Sequence, residues 1–135
     1  MPKILRTPVA VMVESARCTN DEIDAADAID MLDDSGVVIV DLRDVRERHR
    51  EGFIPGSFHC PRGMVEFWVD PHSPYYKDIF GRDVKFVFHC ASGWRSALTV
   101  ATLQGMGMDN IAHITHVFTS WREAGGPIEL TEKES

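Results

Sequence analysis

Cys90-Ala91-Ser92-Gly93-Trp94-Arg95-Ser96 is the stretch of this chain whose residue types and spacing can do chemistry. The cysteine closes an apolar, strand-like run, Val84-Lys85-Phe86-Val87-Phe88. Ala97 to Leu103 then follows with helical composition and is punctuated by Gly105 and Gly107. The loop residues therefore sit at a helix N-terminus. Unpaired N–H groups there point into the loop and the helix dipole adds positive potential, so an anion is favoured, and a thiolate over a thiol. Cys90 is thus the candidate nucleophile. The N–H groups of Ala91 to Ser96 are the candidate anion cradle, and Gly93 supplies the backbone freedom that such a loop needs. Arg95 is the candidate anion-contacting side chain. Ser96 is able to hydrogen-bond the thiolate or cap the helix, and Trp94 reads as a wall of the pocket.

The elements that must position these residues alternate along the chain. Thr19-Asn20-Asp21-Glu22 offers an N-cap with an acidic first turn, and Ile23, Ala26, Ile29, Met31 and Leu32 give a helical apolar stripe that ends near Gly36. Val37 to Val40 is a strand and Val45 to Arg50 a short charged helix. After the catalytic strand and its helix come a further strand, Ile111 to Ile114, and a closing helix, Thr119 to Ala124. The strands are apolar throughout rather than at every second residue. This predicts an α/β fold with a central, mostly parallel sheet and helices on both faces. In such sheets the site lies at the carboxyl ends of the strands, where Cys90 falls. Met1 to Ala16 has no clear period and reads as an arm or an extra edge strand. The expected organisation is an N-terminal arm over 1–18, one domain over 19–130 and a tail over 131–135.

At 135 residues the chain has room for a single core. The most apolar part of the N-terminus, Val9 to Val13, is far too short to span a bilayer, so a cytoplasmic location and no membrane partner are expected. Three cysteines, Cys18, Cys60 and Cys90, stand in no metal-like or disulfide-framework spacing, which agrees with a reducing compartment. A formal net charge of −7 argues against nucleic acid as a partner. It also repels small anions at long range, so any anion site must be a local positive feature.

Four residues separate Cys90 from Arg95. Cysteine-based phosphatases place one residue more between nucleophile and arginine, giving a loop wide enough for a phosphoryl group, whereas the shorter loop suits a sulfur atom on the cysteine. Here the chain resembles the rhodanese family of sulfurtransferases. Val37-Val38-Ile39-Val40-Asp41-Leu42-Arg43 is similar to the family's first motif, an apolar strand ending in Asp-x-Arg. Gly52-Phe53-Ile54-Pro55-Gly56-Ser57 is similar to its Gly-His-Ile-Pro-Gly-Ala signature, and Trp121 to Ile128 to its closing Trp-x-x-Ala-Gly-x-Pro-Val. The motifs run in the family's order from about Asn20 to Glu129. Phe53 departs from the usual histidine, and His116-Val117 from a usual Gly-Gly pair. Met64 to Lys77 is longer than the family minimum and is the expected shaper of substrate access.

The resemblance implies sulfur transfer from an anionic donor such as thiosulfate to a thiol or cyanide through a Cys90 persulfide, with neither metal nor organic cofactor. A protein donor or acceptor is also open. Two alternatives stand beside it: a persulfide-carrier or protein-binding module without turnover, and a cysteine-loop phosphatase or arsenate reductase.

The remaining polar residues have plainer readings. Asp41 and Arg43 suit a structural ion pair or loop brace at a strand end better than acid–base chemistry. His89 precedes the nucleophile on a strand, so its side chain should face away from Cys90 and pack. His113-x-x-His116 is a weak metal signal without further ligands. Arg46 to Arg50 reads as a solvated helix face, and Cys18 and Cys60 as structural thiols.

Overall fold

The structure is a computed structural model and describes residues 2–115 and 118–130. The expected tail and the His116-Val117 departure lie outside those residues. Five strands, β1 (Glu22–Ile23), β2 (Val37–Asp41), β3 (Phe58–His59), β4 (Lys85–His89) and β5 (Ile111–Ile114), form one sheet in the order β1-β5-β4-β2-β3. All four pairings are parallel. Six helices surround it: α1 (Val9–Thr19), α2 (Ala25–Asp30), α3 (Val45–Glu51), α4 (Val65–Val69), α5 (Trp94–Met106) and α6 (Phe118–Glu123).

The continuous apolar character of the strands follows from burial on both faces. On β4, Phe86 and Phe88 pack to one side with Val40, Leu42, Val65, Val100 and Leu103. Val87 packs to the other with Ile39, Ala28, Ala112, Ile114 and Trp121. Each of these side chains is at least nine-tenths buried, and burying one fully is worth about 1.5–3 kcal/mol. Parallel pairing with helical crossovers leaves neither face to solvent, which is why the every-second-residue pattern is missing.

Three expectations are corrected. The N-terminal segment is no edge strand over residues 9–19: it forms α1, whose Val13 and Ala16 pack on Ala97 of α5, with Leu98 and Ala101 alongside. Its small apolar face was too short a signal against the polar residues around it. The helix expected from Thr19-Asn20 begins later. Glu22 and Ile23 pair with β5, and Asp24 caps α2 by accepting from the Asp27 N–H. The helix after Cys90 begins earlier, at Trp94, with Gly93 as its N-cap at φ +86°. Trp94, Arg95 and Ser96 therefore belong to its first turn rather than to the loop.

Met64 to Lys77 forms α4 and a turn. Val65 and Val69 enter the core layer that holds Cys90, and Trp68 and Tyr76 pack against it. Among the described residues, no helix is long and apolar enough to cross a membrane.

Candidate active site

Cys90 leaves the carboxyl end of β4, and its side chain is buried on the α5 side of the sheet. The Gly93 N–H donates to Cys90 Sγ at 3.1 Å. That aim depends on the left-handed backbone at Gly93. A Cβ there would also lie 2.7 Å from the Thr115 carbonyl oxygen, so a side chain is excluded both by conformation and by space. The Ala97 N–H donates to the Gly93 carbonyl at 3.1 Å, which joins the loop to the helix, and the Phe118 N–H donates to the Ala91 carbonyl at 2.8 Å, which ties the loop to α6. Ser92 is exposed, with its Oγ 3.5 Å from the Trp94 N–H.

Ser96 is fully buried, and its Oγ lies 3.8 Å from Cys90 Sγ, 3.3 Å from the Gly93 carbonyl and 2.9 Å from His113 Nδ1. The sequence reading paired Ser96 with the Cys90 thiolate or the helix start; the histidine does not appear in it. Arg95 is already occupied. Its two terminal nitrogens donate to Glu47 of α3 at 2.9 and 3.0 Å. The Glu47 hydrogen bonds, with Cys90 adding to them, raise Arg95 above its ordinary range, and Arg95 in turn lowers Glu47. Glu47 also accepts from the Asp44 N–H in a capping box, so one carboxylate links the first turns of α3 and α5.

Trp94 points toward α1. It is half-exposed and lines a groove against α1 with Val13, Glu14, Arg17 and Cys18, because the early start of α5 turns it outward. The charged run of α3 also departs from a solvated face. Arg46 and Arg50 are exposed, but Glu47 turns to Arg95 and Arg48 turns inward to Asp41 at 2.8 Å.

Asp41 and Arg43 are fully buried and paired with each other. Arg43 donates to both Asp41 oxygens, at 3.1 and 3.0 Å, and to the Gly52 carbonyl at 2.7 Å, and its guanidinium lies 4.2 Å from the centre of the Phe118 ring. Burial pushes the Asp41 carboxyl up, but His89 and Arg43 outweigh it and hold it at about 2. Phe53, the departure from the family pattern, lies under the Arg48 guanidinium at 4.3 Å and exchanges two backbone hydrogen bonds with Glu129. In the closing motif, Trp121 Nε1 donates to the Pro127 carbonyl at 2.9 Å.

His89 faces away from Cys90, as expected, and stacks on Phe118 at 6.1 Å. Burial lowers its imidazole to about 4 even though Asp41 opposes the shift. Cys60 is buried in the same core layer as Cys90, and burial pushes its thiol up to about 12. Among the described residues, no group of three or more His, Cys, Asp or Glu side chains is arranged to hold a metal ion. The site residues that sequence reasoning missed are Glu22, Glu47 and His113. The one available signal was an imidazole inside the otherwise apolar strand Ile111 to Ile114.

The chain matches the Rhodanese-like domain family over residues 24–124. No curated protein matches it significantly. Among solved structures, a protein of unknown function from Rhodopseudomonas palustris, described as a possible tyrosine phosphatase, is 52% identical, with a TM-score of 0.91 over 96% of this chain and 99% of its own. A rhodanese-related protein from Thermoplasma volcanium is 29% identical, with a TM-score of 0.66 over 82% of this chain and 99% of its own. The polysulfide-sulfur transferase of Wolinella succinogenes shares the fold at 23% identity, with a TM-score of 0.67 over 90% of this chain and 87% of its own. The sheet order, the buried Asp-x-Arg brace and the cysteine at the N-terminus of α5 are the setting of that match, and the chain belongs to the rhodanese-like domain family.

Proposed function

We propose that the protein is a sulfurtransferase that carries a sulfane sulfur on Cys90. The observation behind this reading is the Gly93 N–H aimed at Sγ from the N-terminus of a thirteen-residue helix, which favours negative charge on sulfur. In the first half-reaction the Cys90 thiolate attacks the outer sulfur of a donor such as thiosulfate. A bond forms between Sγ and that sulfur, the donor's S–S bond breaks, and sulfite leaves with the electron pair. In the second, cyanide or a thiolate attacks the terminal sulfur of the persulfide and Cys90 is released as thiolate. The loop N–H groups serve both steps as an oxyanion hole would. Arg95, held by Glu47, is the cation at the rim for the donor's sulfonate end.

A second reading, phosphoester hydrolysis, draws support from the description of the 52% identical Rhodopseudomonas protein. The Cys90-to-Arg95 spacing favours the smaller sulfur adduct. Intact mass after thiosulfate treatment tests both readings when paired with an aryl phosphate assay. The expected result is a gain of one sulfur atom, lost in Cys90→Ser and kept in Cys18→Ser and Cys60→Ser, with no Cys90-dependent phosphate release. Cys90-dependent phosphatase turnover without a sulfur adduct would replace the first reading by the second. An adduct without turnover to cyanide would make the protein a persulfide carrier.

A further inference from the structure

One buried chain of polar groups is left unused by that mechanism. Ser96 Oγ lies between Cys90 Sγ at 3.8 Å and His113 Nδ1 at 2.9 Å, and His113 Nε2 lies 3.0 Å from Glu22 Oε2. Ser96 and His113 are both fully buried. Glu22 and His113 are register partners across the β1–β5 ladder, so backbone pairing fixes their approach. The Arg17 Nε of α1 donates to the same Glu22 oxygen at 2.9 Å. Every element packed around the imidazole thus contributes one group: Glu22 from β1, Arg17 behind it from α1, Ser96 from α5, and Cys90 at the end of β4.

Proton positions follow from the bonding capacity of each group. Burial pushes Glu22 up, but the hydrogen bonds from Arg17 and His113 outweigh it and keep its carboxyl below the usual range. An ionised carboxylate only accepts, so His113 Nε2 carries the hydrogen and Nδ1 is bare. The Ser96 hydroxyl then donates to Nδ1, its nearer acceptor, rather than to the Gly93 carbonyl at 3.3 Å. That leaves the Ser96 lone pairs facing the Cys90 thiol.

We infer that Glu22, His113 and Ser96 form an internal relay that takes the proton from Cys90. The Cys90 S–H bond breaks with its electron pair staying on sulfur, and the proton passes to Ser96 Oγ as the former Ser96 hydroxyl proton passes to His113 Nδ1. The products are a thiolate, a serine hydroxyl now aimed at it, and an imidazolium bonded to Glu22; mass and charge balance with no added reactant. Burial lowers His113 while Glu22 raises it and Arg17 lowers it, and the net shift is downward, so the imidazole stands neutral; its bare Nδ1 is the acceptor, and Glu22 at 3.0 Å from Nε2 answers the charge that the proton brings. His113 and Glu22 act through Ser96 and are positioning residues.

The inference rests on Cys90 as the reacting thiol, and it is tested without sulfur chemistry. The rate of Cys90 alkylation by iodoacetamide, read at that residue by peptide mass, is followed against pH. Ser96→Ala and His113→Gln should each slow alkylation about tenfold at neutral pH and move its midpoint up by about one pH unit. Glu22→Gln should slow it about threefold, since it leaves the imidazolium without its counter-charge. Ser96→Ala combined with His113→Gln should be no slower than either alone, because the histidine works only through the serine. A His113→Gln profile matching that of the parent protein would overturn the relay, as would additive effects in the double variant. If His113→Gln does not fold, the part-exposed Glu22 carries the test, and an unchanged Glu22→Gln profile overturns the proposal. Loss of sulfur loading with the alkylation pattern intact would count against sulfur transfer and leave the relay standing.

Discussion

His89 and His113 lie on adjacent parallel strands, both buried, and the protein uses them in opposite ways. His89 faces the side of Phe118 and Asp41, where its Nε2 has no hydrogen-bond partner among the described residues and stands 3.8 Å from an Asp41 oxygen. Asp41 is already taken by Arg43 and Arg48, and burial keeps the imidazole neutral against the opposing pull of Asp41, so it serves as a flat packing surface. His113 faces the Cys90 side with both ring nitrogens engaged. Burial disfavours charge on either ring. What separates them is that the carboxylate beside His113 is half of a part-exposed pair and free to answer a second proton, whereas the one beside His89 is saturated by two guanidiniums.

The comparison breaks most sharply at Asp41. Asp41→Asn should destabilise the protein by about 3–5 kcal/mol, because it leaves Arg43 and Arg48 facing one another without their shared counter-charge. Denaturant unfolding measures this, and a loss under about 1 kcal/mol would mean that the brace is not what holds this face together.

Acid titration of stability sharpens the contrast. His89 prefers its neutral form when folded, so its contribution is complete above the ordinary value of 6.5 and is lost as pH falls toward about 4. The loss is on the order of 3 kcal/mol from that difference. Asp41, held at about 2 against an ordinary 3.8, gives up its contribution only as pH falls from the second value toward the first. His89→Gln should flatten the first window and narrow the second, since His89 is among the groups that hold Asp41 down. An unchanged curve in that variant would show that His89 is not the group responsible.

A smaller effect is expected at the outer end of the other chain. Arg17 and Glu22 form a pair with side-chain exposures of 49% and 28%, so Arg17→Ala should lower stability by less than about 1 kcal/mol. A larger fall in thermal unfolding would make α1 a structural support of the His113 side rather than a cover.

The smallest effect belongs to His89 again. His89→Gln should change Cys90 alkylation by no more than about twofold, since the imidazole packs on Phe118, on the face of the sheet opposite the thiol. A larger change would erase the distinction between the two histidines.

Much of this protein was legible from residue order because local rules govern it. Apolar runs on both sides of Cys90, a glycine where the backbone must be left-handed and the Asp-x-Arg motif at the end of β2 each depend on neighbours close in sequence. They led to the parallel sheet, the helix N-terminus and the candidate nucleophile. The partners of the loop were not legible. Glu47 is 48 positions from Arg95 and Glu22 is 91 from His113; nothing in the run Arg46 to Arg50 tells an inward glutamate from a solvated one. Strand order made the second pairing, by placing β1 against β5. Helix packing made the first, and it also turned Trp94 toward α1. Sequence alone determined that a cysteine stands at a helix start. Only the tertiary structure decided which carboxylates and which imidazole surround it, because those contacts depend on how strands are ordered and helices dock rather than on the local chain.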